Sequence, residues 1–328
     1  MWILGTESPQ YNPQYDPQYK TQDNPQANPQ YTPQYKTLFS ADGLPKAERE
    51  HLPALPELLS YLAGVREQAI EAIVHHSPQL VHWLIQHEGQ HAETIAMVIA
   101  MHHQDAAAVL QRLPSQPEAQ TSMVKVEGGE FWQGSDSDDA IDNEMPAQLV
   151  SVEDFWIDRC LVTCEQFAQF MAKGGYENKQ WWSKEGWEWK VRSQVNQPLY
   201  WSDSYWSADL NLGQKPVCGV SWYEAAAYAA SVEKRLPTES EWEKAANSYP
   251  CCDLFGSVWE WTDTWFASYA GFRPFPYPGY SQAYFDGEHR VLKGSSWASC
   301  DSIARKSFRN WYHPHRRELF AGFRCARS

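Results

Sequence analysis

The stretch WLIQHEGQHAETI, Trp83 to Ile95, sets two imidazoles four residues apart, His87 and His91, with Gln90 between them and Glu93 just beyond. On an α-helix, residues i and i+4 lie about 40° apart around the axis and about 6 Å along it, so both rings can reach one ion. That spacing suits half of a metal site, because neutral imidazole is a ligand for divalent transition metals. The alternative is a pair of core histidines hydrogen-bonded to carbonyl groups. Either way the pair needs partners, since a buried polar group without one is costly. Glu93 follows His91 by two residues, about 200° around the helix. It is aimed away from the pair, toward a neighbouring element.

The elements that must position these residues are legible in outline. Residues 38–110 read as helical. Pro56 sits in a first turn, and Leu58, Leu59, Leu62, Val65, Ala69, Ile70 and Ile73 follow at helical spacing. Ser77-Pro78 is the start signal of the histidine helix, with Ser77 as N-cap. Val81, Leu84, Ile85, Ile95 and Val98 form its apolar stripe, and this is the face expected to turn inward together with His87 and His91. Residues 111–122, QRLPSQPEAQTS, read as a polar linker. Beyond it the character of the chain changes. Fifteen of the seventeen tryptophans and all seven cysteines lie after residue 130. Short aromatic runs and glycine turns over 123–328 predict a loop-rich domain, with helices capped by Ser221 and by Thr238. The fold class predicted is α+β. At the other end, residues 1–37 are dominated by a Pro-Gln-Tyr-x repeat of period four. Proline at that frequency forbids a helix and interrupts a strand ladder, so a disordered or polyproline-like arm is expected.

Composition excludes several classes. A net charge of −14 argues against nucleic acid or an anionic membrane as partner. No apolar run approaches the roughly 18 residues of a membrane span. The N-terminus, MWILGTESPQ, has no basic segment and too short an apolar run for a secretory leader. An odd number of cysteines, two of them adjacent at 251 and 252, with no CxxC pair, points to reduced thiols, a cytoplasmic setting and no structural zinc.

Six motifs then occur in order: GGEFWQGS (128–135), PVCGVSWYEAAAYA (216–229), RLPTESEWEKAA (235–246), FGSVWEWT (255–262), RVLKGSSWAS (290–299) and AGFRCARS (321–328). Together they resemble the formylglycine-generating-enzyme, or sulfatase-modifying-factor, domain. The resemblance implies a C-type-lectin-like fold of loops around small sheets. Within that superfamily the chain is most similar to the ergothioneine-pathway sulfoxide synthases, which couple a DinB-like helical iron domain to this C-terminal domain. QHEGQHAE, LFSADGLPK (38–46), FPYPGYS and FRNWYHPHRRELFAGFR fit that subgroup. True formylglycine generators carry two cysteines after the Gly-Ser-aromatic motif. Here the matching positions are Ser299 and Ala304, and Cys300 stands alone beside them.

The resemblance implies an Fe(II) cofactor, O2 as oxidant, and hercynine (trimethylhistidine) and a thiol as substrates. His87 and His91 are implied as metal ligands and Tyr277 as a proton donor. Gln90, Asn310 and Trp311 are implied to bind the betaine, Tyr280 to line the substrate site, and Arg316 to bind the carboxylate of the thiol. Two positions depart from the family. Tyr312 stands where members that use γ-glutamylcysteine have aspartate, which leaves the thiol open between cysteine and another donor. The family's third histidine ligand comes from an N-terminal helix, yet no histidine precedes His51. The helical domain is therefore expected to be partial. His51, His75, His76, His102, His103 or a separate chain would have to supply the third ligand. A relative that only binds a betaine or thiol is the alternative reading.

Overall fold

The computed structural model describes residues 54–102, 106–116, 123–201, 212–248, 251 and 254–328. The Pro-Gln-Tyr arm, His51 and His103 lie outside the described residues. The chain divides into two compact units, Trp2–Val81 and His82–Ser328.

In the first unit, helix α1 (Leu55–Ile73) has proline in its first turn. The Leu80 amide donates to Ser77 Oγ at 3.3 Å, so Ser77 caps the next helix, α2 (Pro78–His102), as its sequence predicts. From His82 onward α2 belongs to the second unit, which it enters carrying both histidines.

The face that α2 buries is not its apolar stripe. Leu84, Ile85 and Ile95, expected inward, are 46, 53 and 52% exposed. Trp83, Gln86, Glu93, Thr94 and Met97 are buried instead. The reason is chemical. Hydrogen-bond partners from distant segments meet Gln86 and Glu93, so polar side chains are buried at little net cost.

The rest of the second unit is α+β. A short helix α3 (Ala106–Arg112) leads to strands β1 (Met123–Val126) and β2 (Gly129–Gln133). Then come β3 (Gln148–Val152), β4 (Phe155–Asp158) and the helices α4 (Cys164–Ala172), α5 (Lys184–Arg192), α6 (Trp222–Ser231) and α7 (Glu239–Ser248). Strands β5 (Trp259–Trp265), β6 (Arg290–Gly294), β7 (Asn310–Tyr312), β8 (Ala321–Gly322) and β9 (Ala326–Arg327) complete it. Among the described residues three sheets form, ordered β1-β4-β9, β2-β3 and β7-β6-β5-β8. The C-terminal strand thus closes back on the start of the domain, with Trp156 opposite Arg327. Capping boxes at Ser221/Glu224 and Thr238/Glu241 start α6 and α7. No helix among the described residues is long and apolar enough to cross a membrane.

Loops this extensive need fixed internal braces, and the motif residues provide them as buried ion pairs. Arg324 pairs with Glu260 at 2.5 Å, Arg309 with Glu239 at 2.8 Å and Lys293 with Glu243 at 2.9 Å. Each ties one segment of the chain to another far along it. Removing one partner of such a pair strands the other charge in a low-dielectric interior, at about 3–5 kcal/mol. Glu260→Gln is therefore expected to lower unfolding free energy by about that amount, measured by urea denaturation. A change below about 1 kcal/mol would show that Arg324 finds another partner.

Candidate functional site

Helix α2 is held by polar contacts. Glu93 accepts hydrogen bonds from Trp259 Nε1 (2.8 Å) and Ser299 Oγ (3.1 Å), and from Ser296 Oγ. Burial nevertheless raises its pKa, because the three donors are neutral and do not replace all the lost water. Two turns earlier, Gln86 donates to the Asp139 carbonyl at 2.7 Å and accepts from Arg305 Nη2 at 2.8 Å. Arg305 also grips Glu144, through Nε at 2.8 Å and through Nη2. Between these anchors the helix lies so close to the 299–302 loop that a Cβ on Gly89 would strike Cys300 Sγ.

This docking turns the third face of α2 to a wall of aromatic rings. The imidazoles of His87 and His91 lie with centroids 4.3 Å apart. Trp83 stacks on His87 at 4.6 Å and 16°. The edges of Tyr277 and Tyr280 meet Trp83 at 5.9 and 5.1 Å, and Tyr280 also meets His87 at 5.9 Å. Trp311 closes on Tyr280 at 5.7 Å, backed by Phe266 stacked at 4.5 Å and 4°. Gln90 Nε2 donates to the Tyr280 hydroxyl at 2.8 Å.

Burial, reinforced by the adjacent His91, lowers the His87 pKa to about 4. Burial also lowers His91, with the Glu88 charge acting in the opposite sense. Both rings are therefore neutral at pH 7 and have lone pairs to offer. His87, Glu88 and His91 offer three ligand atoms within 4.8 Å of one another, a group that fits a divalent metal with nitrogen and oxygen preference.

The tyrosines ride on the 275–281 loop, and both ends of that loop are fixed to one carboxyl group. Asp142 accepts from Ser281 Oγ at 2.5 Å and from the Phe275 amide at 3.2 Å. Asn143 Nδ2 donates to Ser281 Oγ at 3.0 Å, and the Asn143 carbonyl accepts from Arg309. The tripeptide Asp142-Asn143-Glu144 thus holds the tyrosine loop with two residues and the histidine helix, through Arg305, with the third.

Seven of the eight residues singled out from sequence join this arrangement. His87, His91, Gln90, Tyr277, Tyr280 and Trp311 are linked by the contacts above. Asn310 is next to Trp311 on β7, with Oδ1 accepting the Trp311 amide at 3.0 Å. Arg316 joins none of these contacts and pairs with Glu318 at 2.9 Å. Sequence reading passed over Trp83, although its i, i+4, i+8 register with His87 and His91 marks it. It also passed over Asp142 and Arg305, for which no local pattern exists.

Two outcomes follow from this geometry. Gly89→Ala gains about 1 kcal/mol of helix propensity in isolation, yet the clash with Cys300 is expected to make the protein less stable. Cys300→Ala in the same chain should recover most of the loss, as thermal denaturation would show. A stabilised Gly89→Ala single variant would contradict the close approach. For Asp142, burial raises the carboxyl from 3.8 to about 6. Between those values the folded protein keeps a proton that the unfolded chain has released. Stability is then greatest below pH 4 from this group and falls as pH rises to 6, by about 3 kcal/mol. Asp142→Asn should remove that slope from the pH dependence of unfolding free energy, and an unchanged slope would assign it elsewhere.

Comparison with known proteins places the chain in a lineage. The family model of the sulfatase-modifying factor enzyme 1-like domain matches residues 109–250 and 246–328. The chain is 32% identical to hercynine oxygenase of Mycolicibacterium smegmatis, over 88% of this chain and 82% of that protein. It is 34% identical to hercynine oxygenase of Mycobacterium tuberculosis, over the same shares of each. An inactive C-alpha-formylglycine-generating enzyme 2 of Bos taurus is 27% identical over 62% of this chain and 87% of its own length. A helix-borne histidine pair facing the loops of a sulfatase-modifying-factor domain, at this level of identity, means that the chain belongs to the hercynine oxygenase family of the sulfatase-modifying-factor superfamily.

Proposed function

We propose that the protein is an Fe(II)- and O2-dependent sulfoxide synthase that joins a thiol, cysteine or γ-glutamylcysteine, to hercynine in ergothioneine-type biosynthesis. The observation that carries this reading is the aromatic wall around His87, with Trp83, Tyr277 and Tyr280 in ring contact and Gln90 bonded to Tyr280. On this reading residues 38–110 are the metal-carrying helical domain, joined by a linker at 111–122 to the substrate-binding domain at 123–328.

Fe(II) bound at the histidine pair would activate O2 and hold thiolate and imidazole in neighbouring positions. The chain's own residues bind and orient. A trimethylammonium group has no hydrogen to donate, so aromatic faces recognise it. Gln90 spends one N–H on Tyr280 and keeps a second for the betaine carboxylate. Among the described residues, the indole N–H groups of Trp83 and Trp311 are buried without an acceptor, and a ligand oxygen would satisfy them. Burial and the nearby Asp142 raise the Tyr277 pKa, so its phenol stays protonated and can donate a proton. Asn310 would complete the betaine site. Arg316 would share its guanidinium between Glu318 and the thiol's carboxylate. The stoichiometry closes: thiol S–H and imidazole C–H hydrogens leave with one oxygen atom as water, and the other oxygen remains on sulfur.

A second reading, a relative that only binds its ligand, has one observation in its favour. Arg316 is already paired with Glu318. A formylglycine-generating activity has one against it, because Ser299 donates its hydroxyl to Glu93 at a position where that chemistry needs a thiol. Anaerobic loading with Fe(II), followed by hercynine, thiol and O2, should yield a hercynyl sulfoxide by mass spectrometry. His87→Ala should abolish it, and Tyr277→Phe should slow it by at least about tenfold. Hercynine binding with no sulfoxide would establish the second reading.

A further inference from the structure

We infer that Glu88 is a protein ligand of the metal, completing a two-histidine-one-carboxylate set on a single helix. The inference rests on the metal-site reading above and goes beyond it by naming the third donor. Two acids bracket His91, and they are used differently. Glu93 is buried, and both its oxygens are occupied by Trp259, Ser296 and Ser299. Glu88 is exposed and, among the described residues, has neither a hydrogen-bond nor an ion-pair partner. One of its carboxylate oxygens nonetheless lies within 4.8 Å of a ring nitrogen on each histidine.

The spacing suits the role. His87 and His91 are i and i+4, and Glu88 and His91 are i and i+3, the Glu-x-x-His pattern by which helices present a carboxylate and an imidazole to one iron. Glu88 is about 60° around the helix from His91 and about 4.5 Å along it. Metal bonds of about 2.1 Å put adjacent ligand atoms about 3 Å apart. An exposed, unpaired glutamate can close that gap by changing rotamer, without moving the helix. Of the other histidines, His102 is excluded by the helix itself, since eleven residues beyond His91 amount to roughly 16 Å along the axis. A two-histidine-one-carboxylate face holds Fe(II) and leaves three adjacent positions open. The carboxylate charge also offsets part of the ion's charge, which two neutral imidazoles do not.

Anaerobic titration of the full chain with Co(II), followed by its visible absorption, separates the outcomes without any turnover. The wild type should bind one equivalent. Glu88→Ala and Glu88→Gln should each weaken binding by at least about tenfold and change the ligand-field bands, with the near-ultraviolet circular dichroism of the fold unchanged. Glu88→Asp should fall between. A Glu88→Ala protein that binds Co(II) with the wild-type affinity and spectrum, while His87→Ala does not bind it, would overturn the assignment of Glu88 alone. A wild type that binds neither Co(II) nor Fe(II) would overturn the metal site and Glu88 together.

Discussion

The site depends on one buried carboxylate. Taking an ionised group out of water costs several kcal/mol even after the protein relaxes, and Glu93 is 3% exposed with no ion-pair partner among the described residues. What makes its burial tolerable is the convergence of an indole N–H and two serine hydroxyls from β5 and the 295–299 turn. Such a bond set has direction, which apolar contact lacks. It fixes the rotation of α2 about its own axis, so that His87 and His91 meet the tyrosine loop. A helix docked by leucines could turn by tens of degrees at small cost. One held by Glu93 and Gln86 cannot turn without stranding buried polar groups.

The same economy appears around Asp142, Asn143 and Glu144. These three consecutive residues are all buried. Through Ser281 and Phe275 they fix the loop bearing Tyr277 and Tyr280, and through Arg305 they reach Gln86 on α2. The histidine face of α2 and the aromatic wall are therefore registered against one short turn. This explains how residues almost two hundred positions apart, such as Gln90 and Tyr280, come within hydrogen-bond distance. Serine at position 299 fits the same logic. Its hydroxyl donates to Glu93 and so helps dock the histidine helix.

Much of this was legible in the sequence. The caps at Ser77, Ser221 and Thr238 follow from local chemistry, and so do the helical spacing of the two histidines and the outward aim of Glu93 toward another element. The inward face of α2 was not legible. Periodicity assigns Leu84, Ile85 and Ile95 to the core because it assumes that buried means apolar. Here the buried face is polar, and its partners, Asp139, Trp259, Ser296 and Arg305, lie between about fifty and two hundred residues away in sequence. Asp142 was invisible for the same reason. Nothing near it in the chain signals that its oxygens will hold a loop from residues 275–281. Arg316 shows the opposite limit, where a motif names a residue but not the carboxylate, Glu318, that already occupies it.

The central claim is that the histidine pair and the aromatic wall form one site, registered by Glu93. The most direct test is to load the protein with Co(II), add hercynine without oxygen, and follow the metal's visible spectrum. The account predicts that saturating hercynine shifts the ligand-field bands in the wild type. It also predicts that Glu93→Ala uncouples the two, so that hercynine no longer perturbs the metal. A wild-type spectrum indifferent to hercynine that is bound, as shown by calorimetry in the same sample, would contradict it.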